Sequence, residues 1–241
     1  MLNIFRKIRQ KLLQEGLPAG QEGKVINYLK YATGEIFLVV IGILIALSIN
    51  NWNEDNKNAK REHAFLTNLQ QDLRSDSLRL KEIKERLKVA VSYKRVFESQ
   101  MKGNVTDPDS LNAHFLMQYN LLIDFVPNST TVDELSNNGL NLISSPSLRR
   151  QIVTLYNTYD DLILKLKIGQ EKGQSVLNYV SQKVMNINSP TTDEIRHLLE
   201  DKFYVNQTYM NFLATQLKDA DHALQQCKET LSMIQKDLAH D

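Results

Sequence analysis

The run from Ile36 to Ile49, IFLVVIGILIALSI, constrains this chain more than any other feature, because fourteen residues in a row carry no charge. Extended through Ala32, Thr33 and Gly34 to Asn50, it approaches the ~20 helical residues that cross about 30 Å of hydrocarbon. Tyr28 and Tyr31 stand before it and Trp52 after it, the aromatic frame expected where a span meets the two interfaces. The bare apolar core is shorter than a full crossing, so Glu35 belongs near one interface rather than at the midplane. A transmembrane helix over 31–52 is the reading these residues support.

Flanking charge gives the direction. Arg6, Lys7, Arg9, Lys11, Lys24 and Lys30 precede the span against Glu15 and Glu22, whereas Lys57, Lys60 and Arg61 after it are offset by Glu54, Asp55 and Glu62. The positive-inside bias therefore places the N-terminus in the cytoplasm and residues 53–241 outside it, in the periplasm of a double-membraned bacterium. A cleaved signal peptide is the competing reading. Against it, the apolar run starts late and Ser48-Ile49-Asn50 is a poor cleavage site. Within the cytoplasmic segment, 1–30, the stretch 2–13 puts Leu2, Ile4, Phe5, Ile8 and Leu12 on one helical side and Arg6, Arg9 and Lys11 on another. Such a helix lies on the inner leaflet or docks on a partner.

The remainder reads as helices. Glycine and proline are few, charged residues make up 24% and net charge is +1, the composition of long amphipathic helices rather than of sheets or disorder. Beyond the span 23 basic residues face 25 acidic ones, so no nucleic-acid partner is expected. From about Ala59 to Met101, Leu66, Leu69, Leu73, Leu80, Ile83, Leu87, Ala90 and Phe97 recur at spacings of three and four, a packed seam. Asp76 and Lys94 occupy seam positions and are read as a solvated end or a register-setting polar contact. Gly103 closes this helix. Asp107-Pro108-Asp109-Ser110 and the piece Thr130 to Asn138, stopped at Gly139, mark short helices, and Ser145-Pro146 opens a long one. Its stripe is Leu148, Ile152, Leu155, Tyr159, Leu162 and Leu166, with Gly169 and Gly173 as points of softening or kinking. A turn over Asn188 to Glu194 leads to a short helix, and Leu213, Leu217, Ala220, Leu224, Cys227, Leu231, Ile234 and Leu238 hold a four-three register. The expected fold is all-α: an N-terminal amphipathic helix, one transmembrane helix, and an elongated antiparallel bundle of three long and several short helices. The long helices are expected to run about 35 to 40 residues each.

Several stretches carry a family likeness. Phe5-Arg6-Lys7-Ile8-Arg9, Tyr28-Leu29 with Tyr31-Ala32, Gly34-Glu35-Ile36 through Val39 to Leu47, and Ile49-Asn50-Asn51-Trp52-Asn53-Glu54 resemble the uncharacterised single-pass membrane proteins of Bacteroidota grouped as domain of unknown function 6090. Glu134-Leu135-Ser136 and Leu140-Asn141-Leu142-Ile143 with Leu148-Arg149 are similar to that family's second patch. The resemblance implies a bacterial inner-membrane protein and brings no activity, cofactor or catalytic residue. In such a host Asp76-Ser77-Leu78 and Asp109-Ser110-Leu111 are similar to short O-glycosylation sequons, which makes Ser77 and Ser110 candidate modification sites.

Chemistry is sparse. His63, His114, His197, His222 and His240 show no metal-ligand spacing, the lone Cys227 allows no internal disulfide, and no phosphate loop or nucleophile elbow is present. No catalytic residue, metal site, cofactor or small-molecule substrate is therefore assigned. Glu35, Gly42, Ala46 and Asn50 share one face of the span, and Gly42 with Ala46 forms a small-xxx-small pair that lets two helices approach closely. Glu35 is either an ionisable group with a proton or ion role or an interfacial residue that pairs with Lys30 or caps the helix. Asn137, Asn138, Asn141 and Arg149, near Tyr156 and Tyr159, form the candidate partner surface. The expected function is a membrane-anchored scaffold, adaptor or accessory subunit that touches lipid and binds another envelope protein or its own copies. The alternative is a ligand-sensing domain that signals through a partner.

Overall fold

The computed structural model describes residues 21–103, 115, 123–133, 140–209 and 212–239. The amphipathic stretch 2–13, Ser110, Asn137, Asn138 and Gly139 lie outside them. The described residues form helices and no strand, and the chain divides into two units, Met1–Ala59 and Lys60–Asp241. Helix α1, Gln21–Met101, contributes 81 residues and belongs partly to each unit. It ends where the sequence predicts, at Gly103, whose φ of +133° is open only to a residue without a Cβ.

In the first unit α1 carries the apolar run. An 18-residue window within Leu29–Gln100 has a mean hydropathy of 2.4, and none of it is buried. The described residues thus contain one helix long and apolar enough to cross a membrane.

The second unit is a helical bundle. Helix α2, Pro146–Ser181, opens with Pro146 in its first turn and Ser145 as its cap, the Ser145 hydroxyl accepting from the Leu148 N–H. Helix α3, Thr192–Glu200, has a full capping box between Thr191 and Glu194. Helix α4, Lys202–Tyr209, was not foreseen, and α5, Leu213–Leu238, is 26 residues long rather than 35 to 40. Every apolar seam residue expected on α1, from Leu66 to Phe97, is buried, as is the α2 stripe from Leu148 to Leu166. On α5 the buried line is Gln216, Ala220, Ala223, Leu224, Cys227, Thr230 and Ile234, with Leu213, Leu217, Leu231 and Leu238 half-buried at its side. Small residues in the centre allow close helix approach, and the leucines cover the flank.

Helix directions follow from the cross-links. Cys227 Sγ–H donates to the Leu73 carbonyl, and Lys84 pairs with Asp221, so α5 runs antiparallel to α1. Lys165 pairs with Asp219 at 3.1 Å and Gln151 donates to Gln226 at 2.9 Å, so α5 is antiparallel to α2 as well. Helices α1 and α2 therefore point the same way, and the chain between them must travel back. That return is visible: Phe115 lies 5.6 Å from Phe97, Val126 O accepts from Arg79 Nη1 at 2.6 Å, Asn128 meets Asp76, Thr131 donates to Asp72, and Ser144 N–H donates to Glu62 at 2.6 Å. The described residues of the connection follow one another antiparallel to α1, and 123–129 form a strap on it.

Two apolar cores result. The larger joins Leu66 to Leu87 of α1 with Leu148 to Leu166 of α2 and Ala220 to Ile234 of α5, and the smaller gathers Phe97, Phe115, Val176, Val180, Val184, Ile195, Leu198 and Tyr204. Between their α2 stretches Gln216 Nε2 donates to the Lys165 carbonyl at 2.9 Å, against Gly169. A Cβ at Gly169 would stand 2.0 Å from that Gln216 nitrogen. The helix is continuous through Gly169 and Gly173, and Gly169 makes room for a neighbour.

Candidate functional site

Residues 123–129 have no regular secondary structure, yet Ile123 and Phe125 are buried. Buried backbone without a helix or sheet needs partners from elsewhere, and side chains of α1 and α2 supply them. Gln170 Nε2 donates to Ile123 O at 2.9 Å, Arg79 to Val126 O, and the Tyr156 hydroxyl to Asn128 O at 3.1 Å. Asp76 Oδ1 accepts from the Asn128 N–H at 3.0 Å and from its side-chain amide at 3.2 Å. Asp76, one of the two polar residues in the α1 seam, is not a solvated end. It is wholly buried and holds the strap.

The site has a titratable centre. Asp76 Oδ2 is buried and has no hydrogen-bond partner among the described residues, and the Tyr159 hydroxyl is buried beside Cys227. Burial pushes the Asp76 carboxyl up to about 6; the Asn128 N–H and the Arg79 charge lower it, and Asp72 raises it further. Burial also pushes the Cys227 thiol up to about 11 and raises the Tyr156 and Tyr159 phenols, with the Asp76 charge adding to each. A thiol so raised is no nucleophile at neutral pH. What this cluster can do chemically is take up or release one proton on Asp76 near pH 6. Phe125 packs its ring edgewise on Tyr159 at 4.9 Å, and Tyr156 does so at 5.4 Å, closing the site on its apolar side.

The residues singled out in the sequence are dispersed. Asn141 and Arg149 do meet, Arg149 Nη1 donating to Asn141 Oδ1 at 3.3 Å. Tyr159 is core and Tyr156 half-buried, so neither forms an open surface. In the other unit Gly42 has nothing within 4 Å of where a Cβ would stand, and Ala46 and Trp52 are exposed, Trp52 at 69%. Tyr31 is half-exposed and Tyr28 lies within α1. Glu35 is exposed and, among the described residues, pairs with no base, Lys30 included. Because α1 starts at Gln21, well before Glu35, the carboxylate does not cap it. No group of His, Cys, Asp and Glu side chains that could hold a metal ion occurs among the described residues.

Sequence reasoning missed a surface groove between α2 and α4. It has a volume of about 750 Å³ and is lined by Gln174, Asn178, Tyr179 and Phe203 among others. Its signal was present as amides at every fourth residue, Gln170, Gln174, Asn178 and Gln182, which places them along one helical face.

No curated protein and no solved structure matches the chain. A family model, described as a family of unknown function, DUF6090, matches residues 35–216, which include the apolar run, the Asp76 cluster and the groove. Membership rests on three quarters of the sequence and not on any single motif, and the chain belongs to family DUF6090.

Proposed function

We propose that this is a single-pass protein of a bacterial inner membrane, with residues 1–30 in the cytoplasm, 31–52 in the bilayer and 53–241 in the periplasm. Its role is that of a scaffold, adaptor or accessory subunit: the span and basic segment hold it to lipid, and the bundle docks on another envelope protein or on its own copies. The observation that carries this reading is the apolar window of α1, none of which is buried against the rest of the protein. An apolar helix with no protein cover requires lipid or another helix. Excess base before the span and balanced charge after it support the stated orientation. Gly42 and Ala46, open on one face, suit a helix partner.

The test is purification of the tagged full chain from native membranes in mild detergent, with the particle mass measured and every co-purifying chain identified. A stoichiometric second protein, or a defined oligomer of this chain, is the expected result. A bare monomer would overturn it. The ligand-sensing alternative is favoured by one feature, the α2–α4 groove, whose volume falls among those of small-molecule sites, roughly 300–1,000 Å³.

A further inference from the structure

The groove has an unusual wall. Small-molecule sites are mostly apolar with a few polar groups, but here Gln170, Gln174, Ser175, Asn178 and Gln182 contribute uncharged polar side chains and Glu171 the single charge. The four amides follow one another every four residues of α2, a step of about 6 Å along the helix. Gln174 Nε2 donates to Asn178 Oδ1 at 2.9 Å, which uses one atom of each amide and leaves the Gln174 carbonyl and the Asn178 amino group to a ligand or to water. A row of groups that each donate and accept is complementary to a ligand dense in hydroxyls.

One aromatic ring borders that row. Phe203 is 46% exposed, yet it is firmly placed. The Asp201 carboxylate accepts from the Phe203 and Tyr204 N–H groups at 2.9 and 3.0 Å through one oxygen, and from the Tyr179 hydroxyl through the other. That carboxylate ties the start of α4 to α2, and the Phe203 ring rests on Tyr179 with centroids 4.5 Å apart. Tyr179 O–H and backbone donors hold Asp201 ionised, its carboxyl below the usual carboxylate range. The result is an apolar plate fixed on two helices beside a polar row. Phosphorylated ligands and nucleotides need basic groups, which the lining lacks among the described residues, and a hydrophobic peptide needs side-chain pockets that a row of amides does not provide.

We infer that the α2–α4 groove binds a neutral oligosaccharide, with the C–H face of one pyranose on Phe203 and the hydroxyls of the adjoining sugars on Gln174, Asn178 and Gln182. The inference supplies a ligand class to the sensing alternative and rests on that reading only for its consequence, since binding itself needs no partner.

The test uses the full chain in a non-glycosidic detergent, because a glycoside detergent would compete for the same groove. Tetrasaccharides of β-1,4-linked N-acetylglucosamine, of cellulose and of amylose are each titrated calorimetrically, alongside an uncharged tetrapeptide. At least one saccharide is expected to bind, and Phe203→Ala to weaken it about tenfold or more. Asn178→Ala, a change at an exposed position, is expected to weaken it as well and guards against a folding defect in the first variant. Absence of saccharide binding at millimolar concentration, binding untouched by both substitutions, or binding of the peptide alone would each overturn the proposal. Particle mass and co-purifying chains are expected to be the same for Phe203→Ala as for the parent, so a failure here is distinguishable from a failure of the docking reading.

Discussion

Asn128 gives both of its nitrogen donors to a single oxygen of Asp76, at 3.0 and 3.2 Å, and leaves the second oxygen buried and unpartnered among the described residues. A carboxylate satisfied on one side only is costly to keep ionised in a core. The α1 seam accepts that cost because the strap needs an acceptor at this point.

A pH dependence follows. With the folded carboxyl raised to about 6 from an ordinary 3.8, the folded state holds its proton more tightly than the unfolded chain. Stability is then highest below about pH 4, falls as pH rises towards 6, and levels off above it, by at most about 3 kcal/mol. Asp76→Asn keeps an oxygen for Asn128 and removes the charge. It is expected to raise the melting temperature at pH 7.5 and to flatten the slope between pH 4 and 6. Thermal melts across that range decide it, and parallel curves for both proteins would exclude Asp76 as the cause.

The Gly169 contact predicts a reversal of sign. Gly169→Ala alone displaces the Gln216 amide from the Lys165 carbonyl, and with alanine's helix propensity offsetting part of that loss it is expected to destabilise by up to about 1 kcal/mol. On a Gln216→Ala background the same change meets no obstacle, and alanine's better helix propensity is expected to stabilise by up to ~1 kcal/mol. Denaturant melts of the four proteins in this cycle provide the comparison.

Cys227 is the chain's one cysteine, which makes its reactivity simple to read. Buried, and with its thiol pushed up to about 11, it is only about one part in a thousand thiolate at pH 8. Maleimide labelling is expected to be slow in the native protein and rapid in denaturant. Fast native labelling would mean that α5 leaves the bundle readily.

Gly42→Leu with Ala46→Leu fills the open face of the apolar run. If copies or a partner pack there, the particle from native membranes is expected to lose mass on this double substitution. An unchanged mass would remove that face from any contact.

Thr191→Ala breaks the capping box at α3 and is expected to cost about 1 kcal/mol, measured by thermal melts.

Where periodicity decides structure, the sequence was an adequate guide. Leu66 to Phe97 and Leu148 to Leu166 are apolar at helical spacing, and burial acted on them as spacing predicts. Ser145, Thr191 and Gly103 set their helix ends through local hydrogen bonds or backbone freedom, which neighbouring residues reveal. The strap was not legible. Residues 123–129 are held by Asp76, Arg79, Tyr156 and Gln170, four side chains with no periodic relation to it, and that pairing exists only once α1 and α2 lie side by side. On α5 the register was legible at Ala220, Leu224, Cys227 and Ile234, which are buried, while its other leucines lie on the flank; Ala223 and Thr230 are buried beside it because small residues permit the closest approach. Tyr179 and Phe203 belong to two helices, so no linear pattern joined them.

The bond from Cys227 to the Leu73 carbonyl joins residues 154 positions apart. A ribosome adding about 5–20 residues each second needs roughly 8 to 30 s to make that interval. For all of this time the leucines of α1 have been synthesised and lack their final cover. The apolar run over 36–49, by contrast, is long and apolar enough to cross a membrane without any residue made after it. If that run inserts as proposed, tethering precedes completion of the core, and nascent α1 passes through a vulnerable interval in which a chaperone or a neighbouring copy has the longest access to its open seam.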